Sequence, residues 1–134
     1  LKVQQAFSRQ ARSLQPDDTV QTAVDLTLSG FQANFPVCDG ERLIGLLTYA
    51  HVLKAVQEQG AETAVANVMM TALLTIEPEA ELTEAQQLFQ QSQLTVLPVV
   101  ENGRFLGLLT RSDIGEIYSL VSADPDLLPR MLQA

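Results

Sequence analysis

The feature that most constrains this chain is that it repeats itself. Sliding the 134-residue sequence past itself by 62 positions aligns residues 3–56 with 65–118 without a gap and gives eleven identities. Chance would give about four, at roughly one match in fifteen positions. Pro36-Val37 falls on Pro98-Val99, and Gly45-Leu46-Leu47-Thr48 falls on Gly107-Leu108-Leu109-Thr110. Val3, Pro16, Ala23, Leu26 and Arg42 fall on Val65, Pro78, Ala85, Leu88 and Arg104. The matches gather at turns and strands, as a tandem duplication requires. Both halves must therefore solve the same folding problem.

Each half reads as strand, helix, strand, strand, helix. Extended pieces at Leu14 and at Thr75-Ile76 run towards a proline, which biases the preceding residue away from helix. Val20, Ala23, Val24 and Leu28 then recur at helical spacing, with Asp18 and Gln21 placed as a capping box. Leu82, Ala85, Leu88 and Phe89 form the partner stretch, and Gly30 and Ser92 stand where the two helices should stop. A hairpin follows in each half. Phe35–Cys38 turns at Asp39-Gly40 into Leu43–Leu47, and Val96–Val100 turns at Asn102-Gly103 into Phe105–Leu109. Thr48 and Thr110 open a final helix carrying Val52, Leu53 and Val56, or Ile114, Ile117 and Tyr118. The repeats are set at residues 2–60 and 63–120, with a tail over 121–134 whose Leu127, Leu128, Met131 and Leu132 form an apolar face. That face is expected to dock on the domain or on a twin subunit.

Composition removes several functions. One Cys and one His supply neither an internal disulfide nor a zinc site built from Cys and His, so no metal site is expected. Eight Lys and Arg against sixteen Asp and Glu leave a net charge of −8, which opposes nucleic-acid binding. No apolar run reaches the roughly 18 residues of a membrane span, and the polar first ten residues are unlike a signal peptide. The start at Leu1 reads as a soluble, cytoplasmic piece of a longer protein. No catalytic constellation is present: the single His makes a Ser/His/Asp hydrolase a poor fit, and Cys38 sits in an apolar strand as a small hydrophobe.

Thr110-Arg111-Ser112-Asp113 is the run with most chemistry. Thr110 as N-cap and Asp113 three residues on approximate a capping box. The same geometry offers a phosphate the free N–H groups of a helix N-terminus, with Arg111 adding a planar cation. The first copy reads Thr48-Tyr49-Ala50-His51, which lacks both the carboxylate and the cation. A neutral imidazole accepts one hydrogen bond and cannot chelate two hydroxyls.

The layout of x-Pro-Val strand, hairpin and Gly-x-Leu-Thr-x-x-Asp resembles a cystathionine-β-synthase-type (CBS) domain, and two in tandem resemble a Bateman module. The resemblance covers roughly residues 2–120. It implies an α/β (α+β) fold of two pseudo-twofold-related lobes with sheets packed face to face and two clefts between them. In that family the clefts hold adenosine compounds such as AMP, ADP, ATP or S-adenosylmethionine, and the aspartate in the place of Asp113 binds the ribose hydroxyls. The resemblance assigns Thr110, Arg111 and Asp113, with Thr95, Val96 and Leu97 and with Arg12, Ser13 and Leu14, to one cleft. A weaker second cleft takes Thr48 and His51 with Ala33 and Asn34, and Thr75 from the other half. The expected function is ligand sensing without catalysis or a required cofactor. The alternative is a structural dimerisation module with vestigial clefts. A homodimer is expected, with Val52/Val56 and Ile114/Ile117/Tyr118 completing their burial across subunits. Gly30–Val37 and Ser112–Glu116 further resemble the cytosolic tails of site-2-protease-like membrane zinc metallopeptidases, which implies an attached membrane peptidase as host.

Overall fold

The computed structural model describes residues 1–133; Ala134, the end of the 121–134 tail, lies outside them. The elements in order are a 3-10 turn Val3–Gln5, α1 (Val20–Leu28), β1 (Phe35–Asp39), β2 (Arg42–Leu47), α2 (Tyr49–Glu58) and a 3-10 turn Val65–Asn67. There follow α3 (Leu82–Gln91), β3 (Val96–Glu101), β4 (Arg104–Thr110), α4 (Arg111–Ala123) and α5 (Leu127–Gln133). This is the α+β class expected from the repeat, with helix, strand, strand, helix in each half; the opening strands expected at Leu14 and Thr75-Ile76 are reduced to single bridges, Leu14 to Val37 and Ile76 to Val99.

The chain forms two compact units that do not follow the sequence repeat end to end. The first unit holds Gln10–Leu73 with Asn102–Phe105, and the second holds Leu1–Arg9, Leu74–Glu101 and the chain from Leu106 onward. The opening segment of each repeat is therefore exchanged. Val65, which opens the second copy, is fully buried in the first unit with Leu14, Val20, Phe35, Val37 and Leu47. Val3, which opens the first copy, is fully buried in the second unit with Leu82, Phe89, Leu97, Val99 and Leu109.

Backbone pairing repeats at the same interval. Leu14 bridges Val37 in parallel, as Ile76 bridges Val99; Leu46 pairs with Met70, as Leu108 pairs with Ser8. Thr19 pairs with Ala64, and Glu81 with Lys2. The exchanged arms also cap the helices. The Val20 and Gln21 amides donate to the carbonyls of Thr63 (2.9 Å) and Ala61 (2.8 Å), and the Leu82 amide donates to Leu1 (2.9 Å).

Those carbonyls correct one expectation: Asp18 does not cap α1. Its Oδ2 accepts from the Gln15 amide at 2.8 Å, and Thr19 is the N-cap residue. Backbone from a distant segment supplies what a side chain was expected to supply. The first hairpin is also displaced by one residue. Asp39 pairs with Arg42, so the turn is Gly40-Glu41, with Gly40 at φ 62°. The second turn falls at Asn102-Gly103, with φ 54° and 82°, as type I′ geometry demands. Val52 and Ile114, expected to be covered by a second subunit, are 4% and 5% exposed in the single chain, each packed in a core cluster. Among the described residues, no helix is long and apolar enough to cross a membrane.

Candidate functional site

In the second unit, β4 delivers Thr110 as the N-cap of α4, in extended geometry (φ −110°, ψ 162°). Thr110 Oγ1 accepts from the Asp113 amide at 3.1 Å, and Asp113 Oδ2 accepts from the Thr110 amide at 2.9 Å. The capping box read from the sequence is complete. It engages one carboxylate oxygen of Asp113, which is half-buried, and leaves Oδ1 without a protein partner among the described residues.

Arg111 does something the sequence did not show. Its Nε donates to the Leu94 carbonyl at 3.0 Å, and its Nη2 donates to the carbonyls of Phe89 and, at 3.3 Å, Ser92. The guanidinium also lies over the Phe89 ring, 5.5 Å from its centroid. It thus caps the C-terminal end of α3, where unpaired carbonyls gather and a cation is favoured. Three of five N–H donors are engaged, leaving those on Nη1. The Arg111 amide meanwhile donates to the Thr95 carbonyl at 3.3 Å, tying the loop before β3 to the start of α4. Phe89, Ser92 and Leu94 contribute to this site through backbone carbonyls, which no residue-type motif could have flagged.

The first unit builds the same turn from other groups. Thr48 caps α2, with its Oγ1 accepting from the His51 amide at 3.3 Å. His51 Nδ1 lies 3.4 Å from the Thr48 amide that donates to it and 2.5 Å from Thr48 Oγ1. The imidazole therefore occupies the capping place that the carboxylate takes in the second unit. No cation is present at Tyr49, and the preceding loop is pinned by amides instead. Asn34 Oδ1 accepts from the Tyr49 amide at 3.2 Å. Gln32 accepts from the Arg12 amide (2.8 Å) and donates to the carbonyls of Arg12 (2.9 Å) and Asn34 (2.7 Å).

The remaining residues assigned from the sequence divide between the units. Thr95, Val96 and Leu97 stand with Asp113 in the second unit, whereas Arg12, Ser13 and Leu14 belong to the first. Ala33, Asn34, Thr48 and His51 share the first unit, and Thr75 belongs to the second. Leu14, Val96 and Leu97 are at most 1% exposed, so their side chains belong to the core. The Leu14 backbone is committed as well, donating to Pro36 and accepting from Cys38. Thr95, Arg12, Ser13, Ala33 and Thr75 are exposed. Cys38 is buried, and desolvation pushes its thiol pKa up, opposed by a hydrogen bond with Ser13. Among the described residues there is no cluster of three or more His, Cys, Asp or Glu that could hold a metal.

The chain is 29% identical over 114 residues to the CBS domain-containing protein YhcV of Bacillus subtilis, covering 84% of this chain and 81% of that protein. It is 31% identical over 122 residues to the inosine-5′-monophosphate dehydrogenase of Aquifex aeolicus, covering 89% of this chain but a quarter (25%) of that enzyme. Among solved structures, CBSX2 in complex with AMP matches with a TM-score of 0.80 at 20% identity, covering 90% of this chain and 98% of that one. The CBS domain pair of protein MJ0100, in complex with 5′-methylthioadenosine and S-adenosyl-L-methionine, matches with a TM-score of 0.80 at 16% identity, over 89% and 96%. A putative acetoin utilization protein (AcuB) from Vibrio cholerae matches with a TM-score of 0.78 at 25% identity, over 100% and 97%. The CBS domain profile matches residues 3–58 and again 65–119. With the duplication, the exchanged arms and the twin capped turns, this makes the chain a tandem pair of CBS domains.

Proposed function

We propose that this pair is a regulatory module that binds one adenosine-containing ligand, with the ribose held by Asp113. The observation that carries the reading is the half-engaged carboxylate. Asp113 Oδ2 is held by the capping box, which orients the side chain, while Oδ1 is left to accept from a ribose hydroxyl. Two solved CBS pairs of the same fold hold adenosine compounds, which supports the ligand class. AMP, ADP, ATP and S-adenosylmethionine all carry the ribose that this carboxylate would recognise. Arg111 reaches a phosphate through Nη1 while its other donors stay on α3. The equivalent turn in the first unit has its imidazole in the cap and no cation, so we assign one ligand per chain. Calorimetric titration with the four compounds tests this. Binding of one with unit stoichiometry, weakened in Asp113→Asn, supports the reading, and absence of binding at millimolar concentration defeats it.

The activity under control is an attached one, on the cytoplasmic side of a membrane if the host is a membrane zinc metallopeptidase. That host rests on the resemblance at Gly30–Val37 and Ser112–Glu116 alone. A second reading, a dimerisation module, is favoured by one observation. α1 and α2 expose Leu28 (81%), Leu53 (46%) and Val56 (43%) on one apolar face.

A further inference from the structure

We propose that the first turn of α2 is a pH-sensitive latch, held closed by the neutral imidazole of His51. Nδ1 has one lone pair in the plane of the ring; the Thr48 amide donates to it at 3.4 Å, and the Thr48 hydroxyl oxygen lies 2.5 Å away. Thr48 Oγ1 in turn accepts from the His51 amide at 3.3 Å, which leaves its own proton free to point at the ring. This arrangement needs Nδ1 unprotonated and the ring proton on Nε2. A proton on Nδ1 turns the acceptor into a donor. The Thr48 amide then faces an N–H, and a full positive charge sits in the first turn of a helix, where the backbone amides already make the potential positive.

The second unit is built the opposite way. Its box is closed by the Asp113 carboxylate, whose negative charge suits a helix N-terminus. Protonation of His51 therefore opens one turn and leaves its twin closed. Other charged groups do not substitute. The cavity beside His51, about 230 Å³, is lined by Lys54, Ala55, Glu58 and Gln59 of α2 and by Asn67 and Val68 of the 3-10 turn facing it. Lys54 and Glu58 are its charged members, of opposite sign, and the facing turn brings no charge. α1 packs on another side of α2 through Val24, Thr27 and Leu28, and the preceding loop presents the uncharged Asn34.

Opening has a consequence for the surface. Tyr49 is the first residue of α2; its amide is held by Asn34, and it lines the apolar groove with Leu28, Leu53 and Val56. Loosening of the Thr48–His51 turn frees one wall of that groove.

The chain has one histidine, so its ring resonances report titration without ambiguity. Amide protection factors, corrected for intrinsic exchange, are measured by NMR on the whole chain from pH 8 to 5. Protection at Thr48 and His51 is expected to fall about fivefold or more as the ring titrates, the scale of a lost cap, with Thr110 and Asp113 unchanged. His51→Asp should abolish the pH response while keeping protection high. His51→Gln, should the aspartate variant fold poorly, should also be pH-independent. Protection at Thr48 that stays constant through the ring titration, or a response that persists in either variant, overturns the proposal.

Discussion

Thr110 and Asp113 close on each other across the first turn of α4, each accepting the other's amide proton, at 2.9 Å and 3.1 Å. The pair makes Asp113 both a cap and the proposed ribose acceptor, and the two roles respond differently to substitution. Asparagine keeps an oxygen acceptor for the cap and loses the charge. Asp113→Asn is thus expected to leave the denaturation midpoint nearly unchanged while weakening ligand binding about ten- to hundredfold. Asp113→Ala should do both, with an added stability loss of about 1 kcal/mol. Equal affinity in Asp113→Asn and the parent would contradict the ribose role.

Arg111 should behave first as a structural residue. Truncation to alanine leaves the carbonyls of Phe89, Ser92 and Leu94 without their cationic donor, so Arg111→Ala is expected to cost about 1–2 kcal/mol in urea denaturation without ligand. Arg111→Lys should rescue little, because a compact ammonium cannot reproduce the planar fork. A midpoint unchanged in Arg111→Ala would show that the clasp contributes nothing.

Gly45 and Gly107 occupy the same place in the two repeats but are closed off by different atoms. A Cβ on Gly107 would stand 2.0 Å from the Ser8 carbonyl oxygen, whereas one on Gly45 would stand 2.3 Å from the sulfur of Met69. Backbone held by strand pairing cannot yield as a thioether can. Gly107→Ala is expected to cost about 2 kcal/mol or more and Gly45→Ala about 1 kcal/mol, read from denaturant midpoints. The reverse order would refute the argument.

Cys38 gives stability an alkaline limb. Burial raises its pKa in the folded state, more than the Ser13 hydrogen bond lowers it. Folding therefore favours the neutral thiol, and nothing is lost below the pKa of the unfolded chain. Above about pH 9 the unfolded state gains from ionisation and folding stability declines. In Cys38→Val, which places the side chain of its partner Val100, that decline should shrink. An identical alkaline slope in parent and variant would count against it.

The apolar face of α1 and α2 is expected to join two copies. Light scattering at tens of micromolar should report a dimer, and Leu28→Glu with Val56→Glu should give a folded monomer. A monomeric parent would dispose of this assembly.

Much of this was legible from pattern. The interval of 62 residues, the Asn102-Gly103 turn, and Thr48 and Thr110 as helix openers all follow from local chemistry. A turn's φ angles and a cap's hydrogen bonds are set by neighbours within four residues. Asp18 shows where that reasoning ends. A capping signal was present at Asp18, but the carbonyls of Ala61 and Thr63 reach the Gln21 and Val20 amides from 40 and 43 positions away along the chain. Val52 and Ile114 show it too, since an apolar residue on a helix face looks the same in sequence whichever partner covers it.

The site divides along the same line. The sequence by itself determined the duplicated fold, the twin capped turns and the asymmetry between Asp113 and His51, because each depends on residue type at a fixed local spacing. The tertiary structure alone decided that Val3 and Val65 are buried in each other's units, that Arg111 clasps the end of α3, and that His51 acts as a cap. In each case the partner is a core or a backbone group, or the outcome depends on the direction a ring is turned, and side-chain identity along a chain does not encode these.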